Sequence, residues 1–255
     1  MVFYMANPSG HIIVALPANV SRAYELICIL RGQGCMFKMG IGLLHSVVGV
    51  LAANEFGWAF RDAQEAQDIF RLADLNIFCD SKIHEIPHET ADAVEAVARY
   101  GVKFVSVHAT SGSRAFRAAV DHKGAVQVLG VTVLTSFDDL ECKEIFGTRK
   151  VKQKVFQLTH ELVRWGADGV VCSGQELKYL FPQEFSHLTR VVPGIRPAWA
   201  PHDDQRRIVT PEKAILAGAD YLVIGRPIST AQNPRDAYLR IADEVDSALE
   251  KKSRS

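Results

Sequence analysis

Asp80, Ser81 and Lys82 follow directly on an apolar run and carry the sharpest chemical signal in the chain. Alternate residues of a strand face the same side, so Asp80 and Lys82 can address one point. Lys38 stands at the end of an earlier apolar run, and Glu85 lies three positions beyond Lys82. An alternating Lys-Asp-Lys-acid set favours charged ammonium groups and leaves one able to deliver a proton. A solvated ion-pair network at a strand end is the plain alternative. A second set of signals suits an anion. Gly225 and Arg226 close the last apolar run, and residues 192–197 (VPGIRP) and 204–207 (DQRR) precede it. Glycine lets the backbone approach a ligand, and an arginine can give paired hydrogen bonds to phosphate. An ordinary turn with surface arginines is the competing reading.

Other motifs carry less. Residues 84–88 (HEIPH) match the spacing of a zinc-protease helix. That chemistry needs both histidines on one helical turn, and Pro87 disfavours helical geometry at Ile86. No metal site is therefore assigned. Gly40 and Gly42 lack the rest of a dinucleotide fingerprint, and no phosphate-binding GxxxxGK[ST] loop occurs. His108, at the end of another apolar run, reads as a packed or hydrogen-bonded residue rather than a base.

The elements that must position these groups recur along the chain. Short apolar runs occupy 11–16 (HIIVAL), 35–39 (CMFKM), 76–80 (NIFCD), 104–108 (FVSVH) and 126–134 (VQVLGVTVL). Three more follow at 169–172 (GVVC), 189–192 (TRVV) and 221–224 (YLVI). Continuous apolar runs suit parallel strands covered on both faces. The segments between them carry helical periodicity, as with Ala91, Val94, Val97 and Ala98 in the stretch 90–99. Eight such units without a linker predict one (β/α)8 barrel over 1–255, with an open doubly wound sheet as the alternative. Residues 1–10 and 252–255 are expected to fray, beyond a last helix over 234–251. In a closed barrel the strand ends share one mouth, so Lys38, Asp80, Lys82, His108, Thr135, Ser136, Ser173, Gly194, Arg196, Gly225 and Arg226 would converge.

Composition narrows the class. The 255 residues are 48% hydrophobic and carry 29 basic against 29 acidic side chains. A balanced charge argues against a nucleic-acid or anionic-membrane partner. Five cysteines without a CxxC spacing suggest neither a disulfide frame nor a zinc site, and favour a reducing compartment. The N-terminal stretch has no signal-peptide pattern, and no apolar run is long enough for a membrane span, so a cytoplasmic location is expected.

Several segments resemble the orotidine 5'-phosphate decarboxylase family over nearly the whole chain. They are 12–16 (IIVAL), 37–40 (FKMG), 80–87 (DSKIHEIP), 131–136 (VTVLTS) and 169–176 (GVVCSGQE), then 193–197 (PGIRP), 204–211 (DQRRIVTP) and 218–228 (GADYLVIGRPI). The resemblance implies decarboxylation of orotidine 5'-phosphate to UMP. It gives Lys82 as the proton donor to C6, Asp80 beside the departing carboxylate, and Lys38 on the ribose. Arg226, Gly225 and Gln205 would hold the 5'-phosphate with Arg196 nearby, and Thr135 and Ser136 would face ribose and base. The last acid, here Glu85, would reach in from a second subunit of a homodimer, with Glu89 and Thr90 close by. No cofactor is implied. Pro17, Glu85 and Glu89 depart from the family's Asp, Asp and Thr. Those departures leave a second reading, a non-catalytic pyrimidine-nucleotide-binding homologue, and the shared Asp-x-Lys strand end leaves a third, a related sugar-phosphate decarboxylase or aldolase barrel.

Overall fold

The structure, a computed structural model, describes residues 8–55, 60–72, 76–147, 150–180, 183–200 and 207–254. Its parallel strands are β1 (Ile12–Ala15), β2 (Met36–Gly40), β3 (Ile77–Ile83), β4 (Phe104–His108), β5 (Gln127–Val131), β6 (Gly169–Val171), β7 (Thr189–Val192) and β8 (Tyr221–Ile224). Each pairs with the next, and β8 pairs back with β1, closing a barrel. The helices are α1 (Val20–Leu30), α2 (Ile41–Glu55), α3 (Phe60–Leu72), α4 (Pro87–Ala98), α5 (Ser113–Asp121), α6 (Asp139–Phe146), α7 (Val151–Trp165), α8 (Pro211–Leu216), α9 (Arg226–Ser229) and α10 (Pro234–Ser253). Among the described residues, β6 and β7 are joined only by short 3-10 turns at Leu177–Tyr179 and Gln183–Phe185.

The strand period explains two separate cores. One set of residues faces the barrel interior, including Ile13, Met36, Phe78, Phe104, Leu129, Val191 and Val223. Phe104 packs edge-on to Phe78 at 6.0 Å and to Tyr221 at 5.2 Å between ring centroids. The alternate set, with Ile12, Val14, Phe37, Cys79 and Val105, packs outward against the helices. Two residues on from an interior position, the same face reaches the C-terminal mouth. Ile13 leads to Ala15, Met36 to Lys38, Phe78 to Asp80 and Val223 to Gly225, and all four of these second residues line the mouth cavity. The fold thus converts a buried apolar layer into a site in one turn of the pleat.

The helix ends follow local chemistry. Asn19 caps α1 through its side chain on the Arg22 amide, and Asp138 with Glu141 forms a capping box on α6. Pro87 opens α4 at a position where its missing amide costs nothing.

Three expected boundaries differ by two residues or more. The fifth strand ends at Val131 rather than 134, because the chain leaves the ladder while Val133 and Leu134 turn to line the cavity. The third strand runs past Asp80 to Ile83, through a shift in its register with β4. The last helix continues to Ser253, supported by an ion pair between Lys251 and Glu212 at 2.5 Å.

Candidate active site

A cavity of about 450 Å³ opens at the C-terminal ends of the strands, within the range of small-ligand sites. At one end stands the charged group. Asp80 is 5% exposed, and its Oδ2 lies 2.7 Å from Lys82 Nζ and 3.0 Å from Lys38 Nζ. Burial alone would push the Asp80 carboxyl up. The ammonium groups of Lys38 and Lys82 more than reverse this and hold it below the usual carboxylate range.

The backbone at Lys82 is unusual. Its φ of 50° is the one positive value for a non-glycine among the described residues. Left-handed geometry costs a side-chain-bearing residue about 1–2 kcal/mol. Ser106, wholly buried on β4, compensates: its Oγ accepts the Lys82 amide at 2.9 Å and donates to Asp80 Oδ1 at 2.9 Å. One hydroxyl therefore fixes both catalytic candidates on β3. Nothing in its spacing marks it in the sequence. The available signal was a lone serine inside the apolar run FVSVH.

The far rim is built by β7 and β8. Gly194, Arg196, Gly225 and Arg226 line the cavity there. Gly194 adopts φ 80°, a left-handed turn that glycine enters freely, and this turns the chain so that Arg196 re-enters the mouth. Arg196 is 4% exposed, and its Nη1 donates to the Ile195 carbonyl at 3.0 Å. Thr135 lines the cavity as expected, whereas Ser136 is exposed beside it. Gln205 lies outside the described residues. The β1 end contributes Ala15, Leu16 and Pro17, a wall without a hydrogen-bonding side chain.

Three expected site residues do not join this cavity in the single chain. Glu85 and Glu89 are exposed, and Glu85 borders a second cleft with His84, Pro87 and Thr110–Ala115. Thr90 is wholly buried and donates its hydroxyl to the Glu85 carbonyl at 3.1 Å, so it shapes the start of α4. His108 packs as expected. Its Nδ1 meets Thr110 Oγ1 at 2.9 Å, its ring lies 5.5 Å from His84, and burial, reinforced by His84 and Lys82, lowers its pKa to about 4. The HEIPH segment is not one helical turn: Ile86 is extended, and α4 begins only at Pro87. Among the described residues no cluster of three or more His, Cys, Asp or Glu could hold a metal ion. No helix among them is long and apolar enough to cross a membrane.

Fold and cavity together define the class: a (β/α)8-barrel enzyme whose chemistry-bearing side chains gather at the C-terminal strand ends. Residues 10–241 match the model of the orotidine 5'-phosphate decarboxylase / HUMPS family, and the chain belongs to that family. It is 42% identical over 247 residues to orotidine 5'-phosphate decarboxylase of Mannheimia succiniciproducens, covering 94% of this chain and 99% of that one. With the Hahella chejuensis enzyme of the same name the identity is 41% over 214 residues, covering 82% and 89%. Among solved structures, orotidine 5'-phosphate decarboxylase from Lactobacillus acidophilus superposes with a TM-score of 0.72 at 28% identity, covering 92% of this chain and 98% of that one.

Proposed function

We propose that this chain decarboxylates orotidine 5'-phosphate to UMP. The observation that carries the reading is Asp80 held between Lys38 and Lys82 at one end of a cavity whose opposite rim carries Arg196 and Arg226. Relatives of that name at 41–42% identity support it.

The chemistry accounts for the residues. Loss of carbon dioxide breaks the C6–carboxylate bond and leaves its electron pair on C6, in the ring plane and outside the π system. A fixed ammonium stabilises that developing charge electrostatically. Lys82 then passes a proton to C6, and its amine regains one from solvent. Asp80 orients Lys82 through the 2.7 Å contact and lies beside the departing carboxylate. Lys38 completes the charge balance and faces the ribose. Gly225 and Arg226 grip the 5'-phosphate, with Gln205 and Arg196, while Thr135 and Ser136 face ribose and base. Binding energy from the remote phosphate can be used to order the reacting end. Each step uses the chain's own side chains, without an electron-sink cofactor or metal.

A homodimer belongs to the same reading. Glu85 and Glu89 are exposed and lie outside their own chain's cavity, as an acid serving a neighbouring subunit's site must be. A cytoplasmic location also belongs to it, supported by five free cysteines, four of them buried.

The test is conversion of orotidine 5'-phosphate by the purified chain. One UMP and one carbon dioxide per substrate, unaffected by a chelator, is the expected result. Turnover of a sugar phosphate that stops on chelation would overturn it in favour of a magnesium-dependent barrel.

A further inference from the structure

Away from the Lys–Asp–Lys group, a buried ion pair joins the segment that follows β6 to the segment that leads into α8. Arg207 and Glu176 are 9% and 4% exposed, and Arg207 Nη1 meets Glu176 Oε1 at 2.5 Å. The guanidinium does more than neutralise the acid. Its Nη2 donates to the Leu134 carbonyl at 2.7 Å and its Nε to the Thr135 carbonyl at 3.3 Å. The other Glu176 oxygen accepts the Ser173 amide at 2.9 Å, just beyond β6. Leu134 and Thr135 both line the mouth cavity, in the stretch where the chain has left β5 and has no ladder to hold it.

The segment carrying Arg207 is itself anchored. Val209 bridges to Ile195, donating to the Gly194 carbonyl at 3.3 Å and accepting the Arg196 amide at 2.9 Å. Gly174 packs so closely on Val209 that an added Cβ would run into the valine side chain. Val209, two residues from Arg207, is thus held by contacts that do not involve the guanidinium. Beyond β5, the Leu134 carbonyl is shared between the guanidinium and the Phe137 amide at 3.0 Å, and the guanidinium also reaches the Thr135 carbonyl.

We propose that Arg207, held by Glu176, is a positioning residue that aims the cavity end of β5 at the pyrimidine half of the substrate. The inference rests on the decarboxylase reading above, in which Thr135 faces ribose and base. A planar fork with several donors suits the task, because it can bind two successive carbonyls and a carboxylate at once. A lysine retains the charge without the fork.

The test compares two ligands that share a phosphate and differ in the base, UMP and ribose 5-phosphate. Their dissociation constants are measured by calorimetry on the full-length chain, on Arg207→Lys, and on the double variant Arg207→Met/Glu176→Met. The double variant leaves no unpaired buried charge, and such apolar replacements of a buried pair are often tolerated. In both variants UMP should weaken by about tenfold or more, the order of one or two hydrogen bonds lost at its base half. Ribose 5-phosphate should stay within about twofold. Partial unfolding lowers the active fraction equally for both ligands, so only a local loss of aim changes their ratio. An unchanged ratio in Arg207→Lys, with the wild-type chain binding both ligands, would overturn the positioning role and leave the decarboxylase reading standing. A wild-type chain that binds neither ligand would overturn both.

Discussion

Replacing Ser106 with alanine removes a single oxygen from a wholly buried position, yet it should disturb both Asp80 and Lys82. Two hydrogen bonds disappear: the Lys82 amide loses its acceptor and Asp80 Oδ1 loses a donor. A buried group left unsatisfied costs about 1–3 kcal/mol, and more when it is charged. Lys82 is only half-buried as a residue, so the sum is roughly 2–4 kcal/mol of stability. The catalytic effect should exceed what stability alone predicts. Lys82 holds φ 50° against its own preference, and the Ser106 contact opposes its relaxation. If the ammonium drifts by about 1 Å, kcat should fall on the order of 100-fold. Urea denaturation gives the first quantity, and steady-state turnover of orotidine 5'-phosphate gives the second. A Ser106→Ala enzyme with kcat within threefold of wild type would refute the argument that this hydroxyl holds the pair.

Further expectations concern the rim and the pH response. Arg226→Ala should raise KM about 10- to 100-fold, the worth of charge-assisted hydrogen bonds to phosphate, with a smaller change in kcat; an unchanged KM in a substrate titration would remove that assignment. His108 has a folded pKa of about 4 against an unfolded value near 6.5. The unfolded chain therefore binds the proton first, and stability falls as pH drops from 6.5 to 4. Denaturation curves of His108→Gln across that window should show a shallower fall. Asp80 has the opposite origin but the same sign. Its folded pKa is depressed, so its contribution is complete above the unfolded value near 4 and is lost as pH falls through the folded one. Asp80→Asn should flatten the dependence of stability on pH below about 4, whereas a parallel curve would show that the carboxylate is not held by its two lysines.

The sequence made the barrel legible because its strands are buried on both faces. Apolar runs at 104–108, 189–192 and 221–224 coincide with β4, β7 and β8. It failed at the two ends where the site begins. On β3 the polar Ser81 and Lys82 end the apolar run, although the strand continues through them to Ile83. On β5 the apolar run outlasts the strand, because Val133 and Leu134 serve the cavity instead of the ladder. Lys38, Asp80 and Lys82 were recoverable, since charge at the end of an apolar strand is hard to explain otherwise. Ser106 was not, since a serine fits a buried strand without comment. The Arg207–Glu176 pair spans 31 positions and has no periodicity, and only the closed barrel brings its members together. Glu85, Glu89 and Thr90 were expected near the reacting end, yet in one chain they stand apart from its cavity. Sequence spacing alone does not say whether a loop folds over its own chain's cavity or away from it.

The role of Lys82 in decarboxylation is tested most directly by following the loss of orotidine 5'-phosphate absorbance, with Lys82→Ala beside the wild-type chain and UMP binding measured for both. Turnover by the wild-type chain, its abolition in the variant, and UMP affinity changed by no more than a few fold are the expected results. Turnover that survives in Lys82→Ala would contradict that role, as would a wild-type chain that binds UMP and leaves orotidine 5'-phosphate untouched.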